Sequence, residues 1–217
     1  MNNELTKRIL SSIILIPIII YITISTFYIF IIFLIICLII ASYEWHMMTK
    51  KKPYHLYGFL FIILSFYAAY NLKIYNNNYN YFLFLLLICV ATDVGGYVCG
   101  KTFKGPKLTN ISPNKTYSGF VGGLIFSIIS VIFFFHILDI SNQYREITIE
   151  VYLVTMLISF VSQTGDILMS YFKRNSKIKD TGNLIPGHGG LLDRVDGIIF
   201  AIPFFYIILS LNFVKVF

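Results

Sequence analysis

Apolar runs long enough to cross a bilayer decide what this chain can fold into. A membrane-spanning helix needs about 20 mostly apolar residues, because backbone groups left unpaired in hydrocarbon are costly. Runs of this kind fall at 9–24, 27–43, 56–70, 81–100, 119–138, 151–171 and 197–213. Only Ser25 and Thr26 part the first two, which form a tight hairpin or one broken unit. The count therefore lies between six and eight spans, and seven is adopted. The first run lacks a small-x-small cleavage pattern and apolar sequence resumes at once, so it reads as an anchor and not a signal peptide. Charged residues make up 12% of the chain and hydrophobic ones 57%, against about 25% charged in a soluble domain. Soluble, disordered, collagen-like and disulfide-scaffold classes are excluded. The expected fold is an all-α polytopic membrane protein of about seven transmembrane helices.

The formal net charge is +7, and its distribution sets an orientation through the positive-inside rule. Lys7, Arg8, Lys50, Lys51, Lys52, Lys101, Lys104, Lys107, Lys115, Lys173, Arg174, Lys177, Lys179 and Arg194 fall on one side of a seven-span arrangement, and only Lys73, Arg145 and Lys215 on the other. The first side, with the N-terminus, is expected to be cytoplasmic. It carries two long basic loops rich in Gly, Pro and Asn, 101–118 and 172–196, whereas 71–80 and 139–150 read as connectors, with a solvated turn at 76–80. The expected organisation is N-terminal membrane helices over 1–80 and a catalytic membrane region over 81–217.

Acids near membrane depth are expensive to keep and point to function. Asp93 lies in the fourth run and Asp166 late in the sixth, each just ahead of a basic loop. The densest constellation runs from Ser170 to Asp196. Asp193 and Asp196, three apart, share one face if that stretch is helical, and their oxygens suit a divalent cation. Lys173, Arg174, Lys177 and Lys179 supply charge for phosphate. Gly187, Gly189 and Gly190 permit a tight turn whose N–H groups can approach an anion. Acids, bases and a Gly-rich turn together describe a site for a metal-bound polyphosphate. The segment Ser112-Pro113-Asn114-Lys115-Thr116 offers a second phosphate cradle.

Gly95-x-x-x-x-Gly100-Lys101-Thr102 matches a P-loop pattern, but that pattern has meaning only between a buried strand and a helix. Here it closes an apolar run, so its glycines are expected to serve close helix packing or a break. Trp45 and His46 ahead of Lys50–Lys52 read as an interfacial aromatic anchor. His136 reads as a packed residue, and Cys37, Cys89 and Cys99 as free thiols.

Ser170 through Asp196 resembles the signature of the phosphatidate cytidylyltransferases (CDP-diacylglycerol synthases). That signature reads Ser-x-hydrophobic-Lys-Arg, four residues, Lys-Asp-x-small, two residues, apolar, Pro or Gly, x-His-Gly-Gly, apolar, x-Asp-Arg-apolar-Asp, and it is met at every specified position. Gly165-Asp166, Asp93 with Gly96-Tyr97, and Ser112–Thr116 are similar to the family's upstream motifs. Three departures stand there: Gly96 where Ala is usual, Asn114 in place of Gly, and Tyr117-Ser118 in place of Trp-Glu. Asn tolerates the left-handed backbone that Gly allows, so the turn is expected to survive. An acidic role at position 118 is lost.

The resemblance implies the reaction CTP + phosphatidic acid → CDP-diacylglycerol + pyrophosphate in phospholipid biosynthesis. It also implies Mg²⁺ with a monovalent cation such as K⁺, a homodimer in the bacterial inner membrane, and no nucleic-acid partner. The implied mechanism is in-line attack of the lipid phosphate on the α-phosphorus of CTP. Asp166, Asp193 and Asp196 are then assigned to the metal. Lys173, Arg174, Lys179 and Arg194 would hold the triphosphate, with Ser112, Lys115 and Thr116 from the other loop and Asp180 in the catalytic set. His188, Gly189 and Gly190 would orient a phosphate or form the turn. Asp93 is either a second metal-site acid or a partner of a loop lysine. A transporter using Asp93 and Asp166 as an ion path, and a CTP-dependent lipid kinase, are the competing classes.

Overall fold

A computed structural model describes residues 17–75, 79–109, 111–137, 147–182, 184, 189–213 and 216. Among these residues seven helices follow in order: α1 (described over 17–24), α2 Phe27–Thr49, α3 His55–Ile74, α4 Asn80–Phe103, α5 Tyr117–Ile137, α6 Ile149–Asn175 and α7 Ile198–Ser210. Among the described residues no β-strand forms, and Lys107 and Thr116 make an isolated antiparallel bridge. The start of the first expected span, the turn at 76–78 and the basic residues Lys7, Arg8, Arg145 and Lys215 lie outside the described residues.

Helices α2 to α6 are long and apolar enough to cross a membrane. Helix α7 is 13 residues with Pro203 inside it, about 20 Å at 1.5 Å per residue, against a hydrocarbon core of about 30 Å. Bulky apolar side chains such as Ile32, Ile39, Leu60, Ile129 and Leu153 are exposed along these helices, a surface that suits lipid and would be a liability in water. The protein is thus an integral, polytopic helical membrane protein.

The helices overrun the apolar runs at one end. Helix α2 continues to Thr49, α4 to Phe103 and α6 to Asn175. Hydropathy marks only the lipid-immersed length, whereas backbone hydrogen bonding carries a helix on into polar sequence. Glu44, Lys101, Lys173 and Arg174 therefore stand on rigid helix and not on loops. Helix α6 stops in a Schellman arrangement, with Ile178 N–H donating to Lys173 O at 3.0 Å and Lys177 N–H to Arg174 O at 2.9 Å. Lys177 takes the left-handed conformation there, φ 58°.

Two cores hold the bundle. The larger gathers Phe30, Leu72, Phe84, Leu85, Ile88, Ile158 and Phe205. The smaller, beneath the basic loops, joins Ala41, Trp45, Met48, Ile62, Met169 and Ile199 to Leu192, a loop residue with no exposed surface. Trp45 is not the interfacial anchor expected of it. It is buried, donates from Nε1 to His55 O at 2.9 Å, and packs edge-on to Phe172. Its partner across the α2–α3 corner is Gly58, where any Cβ would sit inside the indole ring.

Helices α4 and α5 approach backbone to backbone. A Cβ on Gly95 would lie 2.6 Å from Gly122 O, and one on Gly119 2.7 Å from Gly96 O. Small residues let helix backbones meet this closely. Helix α4 runs unbroken through Gly100, Lys101 and Thr102, so the P-loop-like residues pack helices. At the opposite end of the bundle, buried Lys73 donates to the carbonyls of Thr23 and Ser25, capping the end of α1.

Candidate active site

The loops after α4 and α6 meet over the ends of α4, α5 and α6. The first, 104–116, is tied by the Lys107–Thr116 bridge, by Leu108 N–H donating to Lys115 O (2.8 Å), and by a turn closed from Lys115 N–H to Ser112 O (3.0 Å). Pro113 and Asn114 occupy the centre of that turn. The turn survives as expected, but Asn114 does not use the left-handed backbone, which among the described non-glycine residues is confined to Lys104, Lys177 and Asn212. Thr116 Oγ1 accepts from Gly119 N–H at 3.1 Å and so caps α5. Ser118 donates from Oγ to Lys104 O, closing the loop at its base.

This hairpin aims Lys115 at α6. Its Nζ pairs with Asp166 and lies 3.4 Å from Gln163 O. The two side chains stay about a quarter exposed, Lys115 24% and Asp166 29%. Asp93, Ser112, Asn114, Lys115, Thr116, Gln163, Asp166, Asp193 and Asp196 line one cavity of about 360 Å³, whose other wall carries Tyr97, Leu108 and Phe120. Six of the sequence-predicted residues (Ser112, Lys115, Thr116, Asp166, Asp193, Asp196), together with Asp93, are thus brought to a single site from four separate stretches of chain.

Asp193 and Asp196 lie in a series of turns and not in a helix, yet both face Lys173. Lys173 Nζ is 3.0 Å from Asp193 Oδ1 and 3.8 Å from Asp196 Oδ2. The remaining Asp193 oxygen accepts from Thr181 N–H (2.7 Å), Thr181 Oγ1 (3.0 Å) and Gly190 N–H (2.9 Å). Gly190 thus spends its N–H on Asp193. Gly189 has φ +83°, and a Cβ there would come 2.7 Å from Asp193 Oδ2.

Asp196 sits differently. Burial pushes its carboxyl well above the usual range, the neighbouring Asp166 and Asp93 carboxylates push the same way, and Lys173 offsets them in part. Burying like charges side by side is unfavourable unless a proton or cation intervenes. The donor set is hard oxygen, which suits Mg²⁺. Among the described residues no three acid, His or Cys side chains converge tightly enough to ligate one ion.

The other predicted residues that the structure describes are not gathered into this cavity. Arg174 lines a neighbouring groove with Ile111, Pro113, Tyr171 and Asn175. Lys179 and Asp180 are exposed on the loop, although Asp180 Cβ comes close to Gly189. Arg194 is exposed, near enough for its charge to act on Asp93. His188 lies outside the described residues.

Sequence reasoning missed Glu44. It is 5% exposed on α2 and accepts from Leu191 N–H (2.8 Å), Leu192 N–H (2.8 Å) and Thr181 Oγ1 (3.0 Å). A lone acid just past an apolar run was the available signal, but hydropathy ended the span before it.

Fold and site together define a class: a membrane-embedded enzyme whose acids and bases meet in a polar cavity where helix ends give way to basic loops. Residues 55–212 match the model of the Cytidylyltransferase family. The chain is 36% identical over 210 residues to a phosphatidate cytidylyltransferase of Rickettsia felis, covering 93% of this chain and 90% of that one. It is 34% identical over 213 residues to that of Rickettsia bellii, covering 95% and 91%. Against that of Bacillus subtilis the identity is 38% over 132 residues, covering 60% and 48%. The chain belongs to the cytidylyltransferase family and is a nucleotidyltransferase.

Proposed function

We infer that this protein transfers CMP from CTP to phosphatidic acid, releasing pyrophosphate and forming CDP-diacylglycerol for phospholipid biosynthesis. The observation that carries the reading is the cavity itself. Ser112, Lys115 and Thr116 from one loop face Asp166 at the polar end of α6 and Asp196 from the other loop. A water-soluble triphosphate and a bilayer lipid can meet only at such a boundary.

The phosphatidate monoester has a second pKa of about 6 and is largely dianionic at neutral pH, so little general-base help is needed. Its oxygen forms a bond to the α-phosphorus of CTP as the bond to the bridging β-phosphate oxygen breaks, and the electron pair leaves with pyrophosphate. Catalysis is then positioning and charge neutralisation. Asp166 and Asp196, with Asp93 beside them, would hold Mg²⁺, and a monovalent cation such as K⁺ would accompany it. When bound, Mg²⁺ supplies positive charge to the triphosphate and to the leaving pyrophosphate.

Lys115 and Arg194 bear on the phosphates, with Ser112 and Thr116 as hydroxyl donors. Lys173 and Asp193 serve from behind, Asp193 holding Lys173 so that it keeps Asp196 in place. Arg174 attracts the lipid phosphate into the groove beside Pro113, while Lys179 and Asp180 flank the entrance. Gly189 and Gly190 form the turn that seats Asp193. The basic loops face the cytoplasm of a bacterial inner membrane, and the working unit is a homodimer.

The test is incorporation of α-labelled CTP into lipid by the purified protein, with and without Mg²⁺. CDP-lipid plus pyrophosphate supports the reading; phospholipid plus CDP would make the protein a kinase; no CTP-dependent product would favour transport.

A further inference from the structure

Glu44 is a buried carboxylate on a membrane-crossing helix, and it lies ahead of residues 55–212, the stretch that matches the family model. Both of its oxygens are used on the signature loop. Oε1 accepts from Leu191 N–H, and Oε2 accepts from Leu192 N–H and from Thr181 Oγ1. Hydrogen bonds to a carboxylate are the strong ones, and two successive backbone N–H groups fix a loop more firmly than one. Leu192 is clamped from below as well, fully buried in the smaller core beside Trp45 and Met169.

The loop closes tightly over this carboxylate. A Cβ on Gly190 would come 2.6 Å from Glu44 Oε1, and one on Gly182 3.1 Å. The single hydroxyl proton of Thr181 is shared between the two acids, since Thr181 Oγ1 is 3.0 Å from Glu44 Oε2 and 3.0 Å from Asp193 Oδ2. Asp193 in turn holds Lys173, which reaches Asp196. An unbroken polar path therefore leads from α2 to the cavity.

We propose that Glu44 is a positioning residue for the transfer reaction, anchoring Thr181 and the Leu191–Leu192 backbone to α2 so that Asp193, Lys173 and Asp196 keep their register. Glu44 touches no cavity-lining substrate position and acts through Thr181 and the Leu191–Leu192 backbone. The role presupposes the CMP-transfer reaction.

Glu44→Gln preserves size but turns one acceptor into a donor, so either Leu191 or Leu192 N–H loses its partner. In the purified full chain, Glu44→Gln is expected to lower kcat by about tenfold or more and to raise the Mg²⁺ concentration for half-activation, as loss of outer-shell support does. The KM for CTP should stay within about twofold of wild type. Peptides containing Leu191 and Leu192 should exchange amide hydrogen faster, while α5 peptides should not. Wild-type kcat and Mg²⁺ dependence, or a loss that follows only the folded fraction, would overturn the role. Should Glu44→Gln not fold, Thr181→Val removes the hydroxyl tie alone and must shift the Mg²⁺ requirement in the same direction, or the role fails. If the wild type makes no CDP-lipid, the reaction is wrong, whereas the exchange comparison still decides whether Glu44 holds the loop.

Discussion

Lys173 Nζ donates to Asp193 Oδ1 at 3.0 Å, with the two side chains only 11% and 5% exposed. A cation this deep serves the protein's own acids before any substrate. Removing one partner of a buried pair leaves the other uncompensated, a cost of about 3–5 kcal/mol. Lys173→Met should therefore lower both stability in detergent and activity, and Lys173→Met with Asp193→Asn should recover stability but not activity. Thermal unfolding beside product formation measures both.

Asp196 is predicted to separate stability from function. Asp196→Asn should reduce CDP-diacylglycerol formation by about 100-fold or more. In metal-free protein the same change should raise stability, because it removes a buried charge facing Asp166 and Asp93. The pH dependence follows the sign of linkage. Below about pH 4 an ordinary carboxyl is protonated folded or unfolded, and Asp196 contributes no slope. As pH rises through the raised folded pKa, the folded state retains a proton that the unfolded chain has lost, so stability falls. Metal-free unfolding midpoints across this range should slope downward in the wild type and less so in Asp196→Asn.

Lys115 should behave in the opposite way to Lys173. Its pair with Asp166 is partly solvated, and such pairs contribute about 1 kcal/mol or less. Lys115→Met should leave the unfolding midpoint nearly unchanged while cutting kcat/KM for CTP by about tenfold to a hundredfold. A large loss of stability would place Lys115 among the structural residues.

Arg174 opens on the groove with Ile111, Pro113 and Tyr171, beside the cavity and not in it. Arg174→Gln should raise the KM for phosphatidic acid by about tenfold, the equivalent of one charge-assisted contact, with the KM for CTP little changed. The reverse pattern in mixed-micelle kinetics would move the nucleotide to this groove.

The α4–α5 seam makes a purely structural prediction. A Cβ on Gly122 would press on the Cys99 side chain and lie 2.9 Å from Gly95 O. Gly122→Ala should cost about 1–3 kcal/mol by overpacking, and Cys99→Gly in the same chain should recover part of it. Denaturant unfolding in detergent reads both.

Much of this site was legible without coordinates. Asp166, Asp193 and Asp196 stand out because an acid beside lipid needs a reason to be there, and Ser112, Lys115 and Thr116 because a proline turn presents a lysine between hydroxyls. All six reach one cavity. Sequence proximity misled where direction mattered. Lys173 and Arg174 are neighbours in the signature, but successive residues on a helix point about 100° apart. One therefore turns inward to Asp193 and the other outward to a separate groove.

The sequence by itself determined the membrane class, the helices and the end of the bundle where charge collects, because long apolar runs leave the backbone no alternative to helix. It could not determine which acids hold the loop and which face the cavity. Glu44 and Asp193 are 149 positions apart, and only the packing of α2 under the signature loop places one hydroxyl, that of Thr181, between them. Hydropathy is a property of each segment taken alone. A shared hydrogen bond between distant carboxylates exists only once the helices have met.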